Sequence, residues 1–231
     1  MNFLRRNKMH IYFDLTDLVN FSSFSNCVSG IQRVILNLGI ELQKYPNVTL
    51  VYCSQTDGQW YEIKGIDLAS LDDLRIFNRI NLNWRVNTIA KDAYIRLYRE
   101  SRSIRGKAKV VLRAIKSRTL RKVMHFKEIK GRFYSLCPLN INEIKGVLLL
   151  PAIPIWEKLY RKTLANPNRK VKLVYFVHDI IPVVTPEFCW LSENKNFSKY
   201  IDLVHKTASL VLTSAQFNVK DYVSYIKKTY K

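Results

Sequence analysis

Short apolar runs and amphipathic runs alternate through most of this 231-residue chain, and that alternation limits its fold more than any other feature. Residues 10–15 (HIYFDL), 48–54 (VTLVYCS), 146–150 (GVLLL), 172–177 (KLVYFV) and 209–213 (SLVLT) are short, apolar and rich in β-forming side chains, which reads as strands. Residues 59–63 read as one more strand after a turn at Asp57-Gly58. Helical spacing lies between them. In SGIQRVILNLGIELQKYP, Ile31, Val34, Ile35, Leu38 and Leu42 recur every three or four residues, with Ser29 placed to cap the helix and Pro46 to close it. Residues 155–164, 194–206 and 215–227 read as further helices, and residues 14–30 as a long polar loop. Strands that take turns with helices pair mainly in parallel, because the crossovers run over the sheet face. The predicted class is α/β: a Rossmann-like parallel sheet with flanking helices, spanning residues 1–231.

The composition fits such a layered domain. Hydrophobic residues make up 48%, charged residues 24% and aromatic residues 12%, which excludes a disordered chain. The longest concentrated apolar stretch, residues 146–156, is too short to span a membrane and holds two prolines, Pro151 and Pro154. At the start, MNFLRRNKMHIYFDL has basic residues before apolar ones, but the apolar part ends at Asp14, so it reads as a first strand and the protein as cytoplasmic. Cys27, Cys53, Cys137 and Cys189 lie far apart, with no spacing suited to zinc; four thiols are expected, and no metal site.

Charge is uneven. The net charge is +20, and residues 75–132 hold 18 Lys/Arg against Asp92, Glu100 and Glu128, so this segment carries +15 of it. Within it, residues 107–124 read as a basic amphipathic helix. Val111, Leu112, Ile115, Thr119 and Val123 fall on one side, and Lys109, Arg113, Lys116, Arg118, Arg121 and Lys122 occupy much of the other. The expected partner is an anionic membrane surface, met by Arg113, Lys116, Arg118, Arg121 and Lys122. The alternative is a solvated face whose apolar side packs on the domain. Nucleic acid is not expected, since few aromatics interleave with the basic residues and no recognised binding motif is present.

In open α/β sheets, ligands bind beyond the carboxyl ends of the strands. Three features fall there. Ser29-Gly30 opens a helix, which either caps it in the ordinary way or lets backbone and helix N-terminus meet a phosphate. His178-Asp179 ends an apolar strand ahead of Pro182 and Pro186. The two side chains start on opposite sides of the strand and serve different partners. They are either reacting groups or a satisfied core histidine beside a turn-capping aspartate. Thr213-Ser214 adds small hydroxyls at the end of a later strand.

In order, IYFDLTDLV, SGIQRVILNLGIELQK, YFVHDIIPVVTPEF and ASLVLTSAQFNVKDY resemble the N-terminal half of family 4 retaining glycosyltransferases, in the subgroup that builds bacterial O-antigens and capsules, with mannosyl- and rhamnosyltransferase-like members. The likeness covers residues of about 9–45 and 171–225. It implies half of a GT-B fold, the acceptor-side Rossmann-like domain, in an enzyme that transfers a hexose from a nucleotide sugar to a lipid-linked or saccharide acceptor. It also implies that the donor-binding domain, with its paired-glutamate motif, is absent from the sequence. The isolated chain is then expected to be inactive, and the missing half to come from a longer chain or a separate donor-domain partner; in the latter case this chain is a non-catalytic acceptor or membrane subunit. By resemblance, His178 contacts the donor sugar or its leaving phosphate, and Asp179 holds the loop or reaches an acceptor hydroxyl. Ser29, Gly30, Ile31, Arg33 and Ser214 would line the substrate, with Arg33 either on a phosphate or simply at the surface. No cofactor or metal is implied, only the nucleotide sugar as substrate. The location implied is the inner face of the cell membrane. Three positions depart from the pattern: Ser29 stands where Thr is usual, Ala208-Ser209 where Ala-Asp is usual, and Ala215-Gln216 where an acidic residue often follows Ser214.

Overall fold

A computed structural model describes residues 9–22, 30–54, 57–70, 135–152, 158–189 and 191–230. In chain order these give β1 (Ile11–Asp14), α1 (Thr16–Ser22), α2 (Gly30–Leu42), β2 (Val48–Cys53), β3 (Trp60–Lys64), β4 (Ser135–Leu139), β5 (Val147–Leu150), α3 (Lys158–Leu164), β6 (Lys172–Val177), α4 (Ile181–Val184), a 3-10 turn (Pro186–Phe188), α5 (Leu191–Thr207), β7 (Ala208–Thr213) and α6 (Gln216–Thr229). The seven strands form one sheet in the order β4-β3-β2-β1-β5-β6-β7. The five strands expected from their apolar runs pair in parallel. The fold is Rossmann-like α/β, as the alternation predicts.

Two elements differ from expectation. β4 pairs antiparallel with β3, which is itself antiparallel to β2, so one side of the sheet is a meander. SLCPL contains a proline and lacks a β-branched run, which hides it as a strand; its sheet-edge position tolerates the proline. The expected polar loop after β1 begins with a helix. Leu15, Leu18 and Val19 are buried at helical spacing, and the Asp14 carboxylate takes the Thr16 amide at its start. Ser29 and the basic segment, including Arg113, Lys116, Arg118, Arg121 and Lys122, lie outside the described residues.

Strand alternation sorts the core into two layers. Phe13, Leu50 and Tyr52 point towards α1 and α2, where they pack with Leu15, Leu18 and Ile35. Val51, Cys53, Leu148, Leu150, Leu173, Tyr175 and Val177 point to the opposite face, against Tyr160 and Leu164 of α3 and Tyr200, Ile201 and Val204 of α5. Each of these large apolar side chains contributes about 1.5–3 kcal/mol on burial. Gly39 lets α2 approach the sheet: a Cβ there would lie 2.5 Å from Leu68 Cδ1 and 3.1 Å from Phe13 Cε1. At β7 the α1/α2 side is thinly covered, and Leu210 and Leu212 remain exposed.

Candidate functional site

Strand order reverses between β1 and β5: the chain moves from β1 outward through β2, and from β5 outward through β6 and β7. That reversal opens a crevice at the carboxyl ends of β1 and β5. The residues just past those ends are Leu15 to Asp17 on one side and Pro151-Ala152 on the other.

Asp14, the last residue of β1, is fully buried. Its Oδ1 accepts the Thr16 amide at 2.9 Å and the Thr16 hydroxyl at 2.5 Å, and its Oδ2 accepts the Tyr160 hydroxyl. Thr16 Oγ1 in turn accepts the Cys53 amide at 2.8 Å, which ties β2 to the same point. Tyr160 is held by Trp60, ring centroids 5.4 Å apart. Burial pushes the Asp14 carboxyl up to about 7, against the pull of its three donors. Burial and the neighbouring Asp14 raise the Tyr160 phenol as well. This cluster joins β1, β2, α1 and α3, and it sits beneath the crevice as a support for it.

Asp17 comes next, in the first turn of α1, and is partly exposed. Gln32 Nε2, from the first turn of α2, donates to Asp17 Oδ2 at 2.7 Å. Burial raises the Asp17 carboxyl above its ordinary value; the Gln32 hydrogen bond and then attraction to His178 lower it part of the way back. His178 thus lies within electrostatic reach of Asp17. The strand register agrees, since Val174, Phe176 and His178 alternate onto the α1/α2 face. The His178 ring packs on Phe176 with centroids 4.8 Å apart.

His178 Nε2 lies 2.9 Å from the carbonyl oxygen of Pro151, just past β5. A carbonyl only accepts, so Nε2 carries the proton, and Nδ1 is the position left to accept a hydrogen bond or take up a proton. The backbone of His178 is clamped from the turn after β7 and the start of α6: Asn218 Nδ2 donates to its carbonyl at 2.5 Å and Ser214 Oγ at 3.2 Å. Asn218 Nδ2 also lies 3.1 Å from Ser214 Oγ.

Asp179 faces the other way. Its Oδ1 accepts the Ile181 amide at 3.1 Å, turning the chain into α4, and its charge adds a minor part to the burial that raises the Tyr200 phenol. Gly30 opens α2, and among the described residues nothing lies within 4 Å of a Cβ added there. Ile31 and Arg33 of the same turn are exposed. The structure therefore brings the first turn of α2, Asp17 and His178 together, sets Ser214 behind His178 as a backbone clamp, and turns Asp179 into the loop. Sequence reasoning missed Asp17, Gln32 and Asn218. Gln32 lies inside the quoted SGIQRV stretch, and its buried position on an otherwise apolar helix face was the available signal.

These groups can do three things: orient hydroxyls through Asp17 and His178, accept or donate a proton at Nδ1, and offer first-turn amides to an anion. Among the described residues no group of His, Cys, Asp and Glu is arranged to hold a metal, and no helix is long and apolar enough to cross a membrane. Cys53, Cys137 and Cys189 form no disulfide. Compared with known proteins, the chain matches no family model, no curated protein and no solved structure. Fold and site together define a Rossmann-like domain with a polar cluster at its switch point.

Proposed function

We propose that this domain is the acceptor-side half of a hexosyltransferase, acting on a lipid-linked or saccharide acceptor in cell-surface polysaccharide synthesis at the inner face of the membrane. The observation that carries this reading is that the Asp17–Gln32 hydrogen bond and the His178–Pro151 hydrogen bond set both side chains at the β1/β5 crevice, next to the first turn of α2. A sugar is recognised by paired donors and acceptors around its hydroxyls, and a carboxylate with an imidazole supplies both. The α2 amides and Arg33 fit the diphosphate of a nucleotide sugar. In the reaction, the bond from the anomeric carbon to the diphosphate oxygen breaks and one to the acceptor oxygen forms. The acceptor proton passes to the leaving phosphate, so His178 and Asp17 serve to position hydroxyls. The donor-binding half is supplied by another domain or a partner chain.

Side-chain resonances give the test. UDP-, GDP- and dTDP-hexoses and oligosaccharide acceptors are titrated into the labelled protein, and the His178 ring and Gln32 amide signals are followed. At least one compound should move both signals together. If none moves them, or all act elsewhere, the reading fails.

A further inference from the structure

A second site lies at the other end of β6. Between α3 and α5, a cavity of about 880 Å3 opens at the starts of β6 and β7. Arg161 and Lys162 of α3, Lys170 and Lys172 at the start of β6, and Lys199 and Lys206 of α5 line it. Asp202 is the acid among the described lining residues, and it is already engaged by Lys206 Nζ at 2.9 Å and the Tyr230 hydroxyl at 3.3 Å. So dense a set of like charges repels itself unless an anion sits among them.

The groove is also shaped. Arg169, in its wall, donates from Nη1 to the carbonyls of Leu164 at 2.9 Å and Asn166 at 2.7 Å, and from Nη2 to that of Thr207 at 2.8 Å. One guanidinium thus pins the carboxyl ends of α3 and α5 together and neutralises their dipoles. Its Nε is buried with no acceptor among the described residues, a donor that still needs an anion or a water. The volume falls in the range of small-molecule sites. Among the described lining residues none is aromatic, so none of them offers a platform for stacked bases, which disfavours single-stranded nucleic acid.

We infer that this groove binds an anion with clustered phosphoryl groups. Only a multiply charged ligand matches this excess of cations, and Lys and Arg are the side chains that meet phosphoryl oxygens best. The six residues of β6 separate the groove from His178, so it is a site apart from the crevice and stands whatever the crevice binds. The same chemistry comes from a lipid headgroup or from a soluble polyphosphate.

Two probes separate these sources: inorganic tripolyphosphate by calorimetry, and sedimentation with phosphatidylcholine vesicles with and without cardiolipin. Each is applied to the wild type, to a groove triple (Arg161→Gln, Lys162→Gln, Lys170→Gln) and to a control triple that removes the same charge elsewhere (Lys44→Gln, Lys64→Gln, Lys220→Gln), all checked for unchanged thermal midpoint. The groove triple should weaken binding at least about tenfold, and the control triple only slightly. Loss confined to cardiolipin vesicles assigns a lipid source, and loss with tripolyphosphate a soluble one. Equal losses in both triples, or no binding of either probe by the wild type, overturn the inference.

Discussion

Gln32 and Asp17 meet at 2.7 Å across fifteen positions of sequence, and through that hydrogen bond the first turn of α2 is fixed beside the first turn of α1. Removing it with Gln32→Ala should cost about 1–2 kcal/mol. The bond favours the ionised carboxylate, so its loss should raise the Asp17 carboxyl further. A raised folded value means stability that is whole at low pH and lost as the carboxyl ionises. The variant's deficit should therefore be larger at pH 7 than at pH 4, measured by urea unfolding at both.

Asp14 should dominate the acid side of the stability curve. Its folded carboxyl stands at about 7 against an ordinary 3.8. The folded state thus prefers the proton, and its contribution is full below the unfolded value and declines as pH rises through about 7. Over that interval the loss amounts to about 4 kcal/mol. Asp14→Asn should flatten the difference in unfolding free energy between pH 4 and pH 8, whatever it does to the absolute value.

Tyr160→Phe tests the same cluster from α3. It deletes one donor to a buried carboxylate and should cost about 1–3 kcal/mol. The ionised form needs that donor most, so the penalty should grow with pH. A pH-independent penalty would mean that Asp14 stays protonated throughout.

His178→Ala should separate chemistry from folding. The ring is partly exposed and, among the described residues, its hydrogen bond goes to Pro151, so unfolding free energy should change by less than about 1 kcal/mol. Transfer reconstituted with the donor half should fall about 100-fold through lost positioning of the hydroxyls. Parallel loss of both would make the histidine a packing residue.

Gly146 precedes β5 with φ of +128°, and a Cβ there would lie 2.3 Å from the His10 carbonyl oxygen. That oxygen accepts the Val147 amide, so it cannot retreat without breaking the β1–β5 pairing. Gly146→Ala should cost about 2–4 kcal/mol, read from the denaturant midpoint.

The parallel core was legible because each of its strands is an apolar run of β formers bounded by helical spacing. β4 was not, since Pro138 argues against a strand and only the partner β3 reveals an edge that accepts it. α1 was hidden by its length: two turns give Leu15, Leu18 and Val19 too few repeats to stand out among polar neighbours. At the site, the opposite headings of His178 and Asp179 follow from strand alternation alone. Which of them meets the crevice does not, because that depends on α1 and α2 covering one face, a tertiary fact. Asp17 and Gln32 pair across a loop whose path no local pattern encodes.

The sheet will not open evenly. β1 is paired on both sides, by β2 and β5, whereas β7 is an edge strand and leaves Leu210 and Leu212 to solvent. Native-state amide exchange should therefore be slower in β1 and β5 than in β7. Asp14 and Asp17 hang from the slow end, while Ser214 and Asn218, which clamp the His178 backbone, follow the fast one. Local fraying of β7 would slacken that clamp with the carboxylates still in place, giving the imidazole a mobility of its own within an otherwise intact domain.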